Sequence, residues 1–139
     1  MPLLSRCFIK SGFGALALAL LLELLQLRPA GTFLHLPDAA VHLAAVHLLT
    51  VGWLLQLILG VAFWMFPRHP TAPPRGDPRY GWWAFGLLNV GLLLRLLGEP
   101  WRLGFAGPSW PLVASALLQL AGVAFAVTLL WPRIRATGS

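Results

Sequence analysis

Cysteine and acid are both scarce in this sequence. Cys7 is the one cysteine among 139 residues, which excludes an internal disulfide framework. Nor does LSRC read as a lipidation site, because the apolar run follows Cys7 instead of preceding it. Four acidic residues stand against ten Lys and Arg, and charged residues make up 10% of the chain, too few for a solvated surface. No nucleophile elbow, phosphate-cradling loop or zinc-protease motif occurs. Asp38 and Asp77 read as a helix start and a loop turn. A complete enzyme therefore has little support.

What is present is apolar. Hydrophobic residues make up 58% of the chain and the mean hydropathy is +0.78, a composition for lipid and not for water. The net charge of +6 and pI near 11.5 do not indicate nucleic acid, because the basic residues sit between apolar runs and form no polar face. A spanning helix needs about 20 mostly apolar residues, and four runs qualify: 13–27, 39–66, 82–97 and 110–131. With their flanks they give an all-α, four-transmembrane-helix bundle, one domain over residues 1–139, with helices at roughly 12–28, 38–67, 80–98 and 109–132. The stretches RPAGTFLHLP, PRHPTAPPRGDPR and GEPWRLGFAGPSWP read as the loops between them.

Arg6 and Lys10, then Arg68, Arg75 and Arg79, then Arg133 and Arg135 fall on one side, against Arg28 and Arg102 on the other. The positive-inside rule then puts both termini in the cytoplasm of a multi-pass cell-membrane protein. Trp82, Trp83, Trp101, Trp110 and Trp131 fall near the expected interfaces, where amphipathic rings anchor helices. Glu23 interrupts the first apolar run and no small-x-small cleavage site follows, so this segment reads as a helix and not as a signal peptide.

Two histidines lie inside the second run, in VHLAAVHLLTVGW. A polar ring in hydrocarbon must find a partner or cost several kcal/mol, so His42 and His47 are functional candidates. Helical rise places them roughly 6–8 Å and 14 Å below the outer end of their helix. Arg95 falls near the outer end of the third helix, Glu23 near that of the first, and Gln119 partway down the fourth, with Gln56 and Asn89 deeper. The amides can be interhelical glue. Arg95 can pair with Glu23 or snorkel to the interface. His35 and His69 read as loop residues, and Cys7 as inert.

A zinc or copper centre would need three or four converging ligands. His42 and His47, at i and i+5, point about 140° apart and cannot easily grip one small ion. Haem b suits the chain better. It needs one or two axial histidines, apolar walls and a cation for its propionates, a task Arg95 can perform by paired hydrogen bonds. Covalent attachment is excluded, since a lone cysteine makes no CxxCH site. Ala39, Ala40, Ala44, Ala45, Gly52 and Gly60 let helices open a slot. Because the first, third and fourth helices carry no histidine, two axial ligands on different helices imply a homodimer unless His35 folds inward. The alternative is a five-coordinate haem with one histidine, open to a gas.

The stretch HLLTVGWLLQLILGVAFWMFPR resembles the second transmembrane helix of subunit I of haem-copper oxidases and nitric oxide reductases, in which the corresponding histidine ligates the low-spin haem. WWAFGLLNVGLLLRLLGEP is similar to the following helix of small membrane proteins akin to those subunits. The resemblance implies b-type haem held by His47, with His42 as its rival, and Trp53, Asn89 and Arg95 around it. The family's HPEVY-like stretch and consecutive histidine pair are missing, so oxygen or nitric oxide reduction is not implied. Electron transfer or redox and gas sensing is, with a quinol or a redox protein as candidate partner. The competing classes are a haem-free accessory subunit of a larger membrane complex, and a proton or metal relay through Glu23, His42, His47 and Arg95. No inverted repeat supports the relay.

Overall fold

The computed structural model describes residues 1–27, 37–67 and 75–135. Among these residues the chain is helical throughout, with no strand. We number the helices α1 (Leu3–Gln26), α2 (Asp38–Met65), α3 (Pro78–Phe105) and α4 (Trp110–Arg135). All four are long and apolar enough to cross a membrane. His35, His69, Arg28 and Arg68 lie outside the described residues, so the readings made of them stay with the sequence.

Local chemistry sets most boundaries. Pro37 precedes α2, and Asp38 occupies its first turn, where a carboxylate meets the positive end of the helix dipole. The helix stops at Phe66, which turns extended (ψ 145°) as a residue before proline tends to. Asp77 caps α3 by accepting from the Arg79 backbone N–H at 2.9 Å, with Pro78 at the first helical position.

Two boundaries differ from the sequence expectation. The first helix starts at Leu3, so Arg6 and Lys10 ride on it instead of preceding it. The third does not stop at 98 but continues through Pro100 to Phe105, ending on a left-handed Ala106 (φ 50°). Most of GEPWRLGFAGPSWP is thus helix. A proline removes one N–H, and packing outweighs that loss here. Gly98 sits so close to α4 that a Cβ on it would lie 3.0 Å from Leu112 Cδ2.

Helices adjacent in sequence pack as neighbours: α1 on α2 and α3 on α4 along most of their lengths, and α2 on α3 less extensively. The start of α1, the end of α2, the start of α3 and the end of α4 share one end of the bundle. There Leu4, Phe8, Phe63, Ala84, Leu88, Ala126 and Leu129 form the main core. A second cluster, Ala15, Ala19, Leu48 and Leu92, joins α1, α2 and α3 nearer the other end.

The middle of α2 departs from the regular period. Residues Leu48–Leu55 form a π-helical stretch that begins directly after His47. Such wide turns inside α-helices frequently occur at functional sites. Thr50 Oγ1 donates to the Val46 carbonyl at 2.9 Å, a back-bond of the kind that loosens the helical ladder. Gly52 lies where α2 meets both neighbours. A Cβ there would fall 2.7 Å from Ala15 Cβ and 2.9 Å from Leu92 Cδ2. Gly52→Ala is accordingly expected to destabilise the bundle by about 1–3 kcal/mol, as overpacking does. Thermal unfolding in detergent checks this, and an unchanged midpoint would contradict the close packing.

Candidate functional site

Glu23, His42, His47, Arg95 and Glu99 all lie toward the end of the bundle opposite the main core. Arg95 and Glu99 lie one turn apart on α3, and Arg95 Nε donates to Glu99 Oε1 at 3.2 Å. The same oxygen lies 3.4 Å from His47 Nδ1 of α2. His47 Nδ1 also donates to the Leu43 carbonyl one turn back, at 2.8 Å. A carbonyl and a carboxylate can only accept, so Nδ1 carries the proton. In the neutral ring the lone pair is then on Nε2, for which no described residue is a partner. Glu99 is 5% exposed, and its second oxygen, Oε2, is buried without a hydrogen bond.

His42 repeats the pattern on the neighbouring face. Its Nδ1 lies 3.2 Å from Glu23 Oε1 of α1, and this pair is more open than that of His47. The rings thus address opposite neighbours, α1 and α3, as five residues of regular helix require. Both keep Nε2 outside the bundle's own hydrogen bonds. The two carboxylates divide between the histidines, so the Arg95–Glu23 pairing open in the sequence does not form. Arg95 takes Glu99 and Glu23 takes His42.

Asn89 belongs to a different layer. Ser11 Oγ donates to Asn89 Oδ1 at 2.8 Å and Gln56 Nε2 to the same oxygen at 3.1 Å. Asn89 Nδ2 returns bonds to Gln56 Oε1 at 3.3 Å and to the Phe85 carbonyl at 2.8 Å. Ten residues separate Asn89 from Glu99 on α3, roughly 15 Å of rise. The structure therefore gives Asn89 to a three-helix amide lock and not to the histidines. Gln119 is likewise local, since its Nε2 donates to Ser115 Oγ, which bonds the Gly91 carbonyl across the α3–α4 contact. Trp53 lies in the π-helical stretch, its Nε1 buried without a hydrogen-bond partner.

Two residues that matter here were not singled out in the sequence as site or core residues. Glu99 sits in GEP, which reads as a breaker, although the Arg95-to-Glu99 spacing of four was a signal that could have found it. Arg133 was read as a topology charge, yet it is fully buried.

No group of three His, Cys, Asp or Glu able to hold a metal ion occurs among the described residues. Haem asks for less, and the residues fit it in three respects. His47 Nε2 is available and its ring is fixed through Nδ1. Arg95 donates to Glu99 only through Nε, leaving its terminal nitrogens without partners among the described residues. Leu43 and Val46, beside His47, are exposed, so an apolar wall faces outward. The clefts along Leu57, Val61 and Phe66 and along Tyr80, Phe125 and Thr128 include neither histidine. A haem on His47 would lie against the outside of the bundle. No family model, curated protein or solved structure matches the sequence.

Proposed function

We propose that this chain is a multi-pass cell-membrane protein with both termini in the cytoplasm, and that it carries b-type haem on His47 as a homodimer. The observation that carries the reading is the state of the His47 ring. Its Nδ1 is directed at the Leu43 carbonyl and Glu99, and Nε2 has no hydrogen-bond partner among the described residues. Metal-ligating histidines are oriented in this way, the second nitrogen donating to a carbonyl or carboxylate. Arg95, bound to the same Glu99, stands beside the ring with donors to spare for a propionate. A second chain across a two-fold axis beside α2 supplies both the missing wall and a second axial histidine. Bound haem would supply a one-electron ferric–ferrous couple or, with one axial position open, a site for a gas. Electron transfer with a quinol or a redox protein, or sensing, follows from which of these holds.

A second reading is favoured by the same distances. Each histidine already meets a carboxylate on another helix, Glu23 or Glu99, and such pairs can simply lock a bundle. The chain would then be a haem-free accessory subunit. Absorption spectra of the purified protein, expressed with haem available, oxidised and then reduced with dithionite, separate the two. A haem b spectrum unmoved by carbon monoxide means two protein ligands and an electron carrier. A shifted spectrum means an open iron and a gas-binding role. A colourless protein ends the haem reading in favour of the accessory subunit.

A further inference from the structure

At the end of the bundle opposite the histidines, a cleft opens between the start of α1 and the start of α3. Its walls are apolar, made by Pro2, Leu3, Leu4, Phe63 and Trp82, and the one charged side chain lining it is Arg75. Arg75 Nε is buried and has no hydrogen-bond partner among the described residues. No carboxylate among the described residues pairs with the guanidinium. Asp77, two residues on, is occupied in capping α3. Arg133 lies near enough to repel Arg75, and its own donors are taken by the carbonyls of Phe63, Phe66 and Pro67. Arg75 thus lines a greasy cleft with Arg133 close behind it, Arg133 satisfied by backbone and Arg75 by no partner among the described residues. A guanidinium cannot shed its charge, so the deficit calls for an anion.

We propose that this cleft binds an anionic phospholipid, with Arg75 gripping the phosphodiester oxygens and the apolar walls receiving the first methylenes of an acyl chain. A phosphate suits the planar fork of arginine, and the surrounding leucines and phenylalanine suit a lipid tail better than a free ion. Trp82, 43% exposed, marks the headgroup level at which such a ring settles. The site rests on the membrane reading of the chain and is independent of haem.

The test uses the full chain in mild detergent, with native mass spectrometry counting retained lipid during titration with dioleoylphosphatidylglycerol or dioleoylphosphatidylcholine. The phosphatidylglycerol is expected to be retained and the phosphatidylcholine lost. Arg75→Gln should weaken retention roughly ten- to hundredfold, the loss of a charge-assisted hydrogen bond. Arg79→Gln, on an exposed neighbour, should leave it unchanged. Equal retention of the two lipids, or unaltered binding by Arg75→Gln, would overturn the proposal. So would full displacement of the lipid by millimolar inorganic phosphate, which would reveal a free-anion pocket. Without lipid, Arg75→Gln should melt with the wild type, since Nε loses no internal bond. A large drop there would make Arg75 structural and also end the proposal. Release of the chain from membranes by a carbonate wash would instead defeat the membrane reading itself.

Discussion

His47→Ala should yield a folded protein that no longer retains haem, while His42→Ala keeps most of it. The difference comes from what holds each ring. His47 is fixed through Nδ1 by a 2.8 Å bond to Leu43 and by the nearly buried Glu99, whereas His42 pairs with Glu23 in the open. A ligand already oriented in the apoprotein loses less freedom on binding iron, so His47 is the stronger anchor. The pyridine haemochrome content per chain measures the outcome, and undiminished haem in His47→Ala would remove this residue from the site. Glu99→Gln gives a graded companion result. The amide can hold its place near Arg95 but not carry the charge that orients the imidazole. Haem should then bind roughly ten- to hundredfold more weakly, the usual cost of losing such a partner. Haemin titration of the apoprotein reads that ratio.

Arg133→Leu should cost the fold about 3 kcal/mol. Arg133 is fully buried near the end of α4, where its Nε donates to the Pro67 carbonyl at 3.0 Å, its two terminal nitrogens to the Phe63 carbonyl at 3.1 Å, and one of these also to the Phe66 carbonyl. Its guanidinium carbon lies 5.5 Å from the Phe63 ring centre. These carbonyls are at the end of α2, where a helix has no partners of its own to offer. Hydrogen bonds to a charged donor contribute about 1.5–3 kcal/mol each, but burying the charge opposes them, so the net loss is well below their sum. Arg133→Lys should recover less than half of it, because an ammonium cannot fork across three carbonyls. Reversible unfolding in mixed micelles measures both variants. A wild-type midpoint for Arg133→Leu would mean that water can cap α2 as well as arginine does.

The four helices were legible because each rests on a signal that neighbours cannot cancel. A run of about 20 apolar residues cannot be solvated, and the Pro37–Asp38 and Asp77–Pro78 pairs start helices by their own geometry. The end of α3 was not legible, since Glu99–Pro100 is locally a stop and becomes helix only when Gly98 docks on Leu112. The π-helical stretch after His47 was equally hidden. It coincides with the contact of Gly52 with α1 and α3, and nothing in a sequence period announces a wider turn.

For the candidate site, composition and spacing determined that two histidines and an arginine would lie inside apolar helices, and that five residues of helix would turn the rings to different neighbours. That much follows from hydropathy and the helical period alone. Which acid each base meets was decided by tertiary structure. Continuing α3 past Gly98 set Glu99 beside His47 as well as Arg95, while the packing of α1 on α2 and α3 left Glu23 to His42 and joined Asn89 to Ser11 and Gln56. Arg133 shows the same division. Its charge can be read from the chain, but only the packing of α4 against the end of α2 turns that charge inward onto three carbonyls. The reason is physical: a helix's existence depends on its own residues, whereas the pairing of a polar group depends on the distance to another helix.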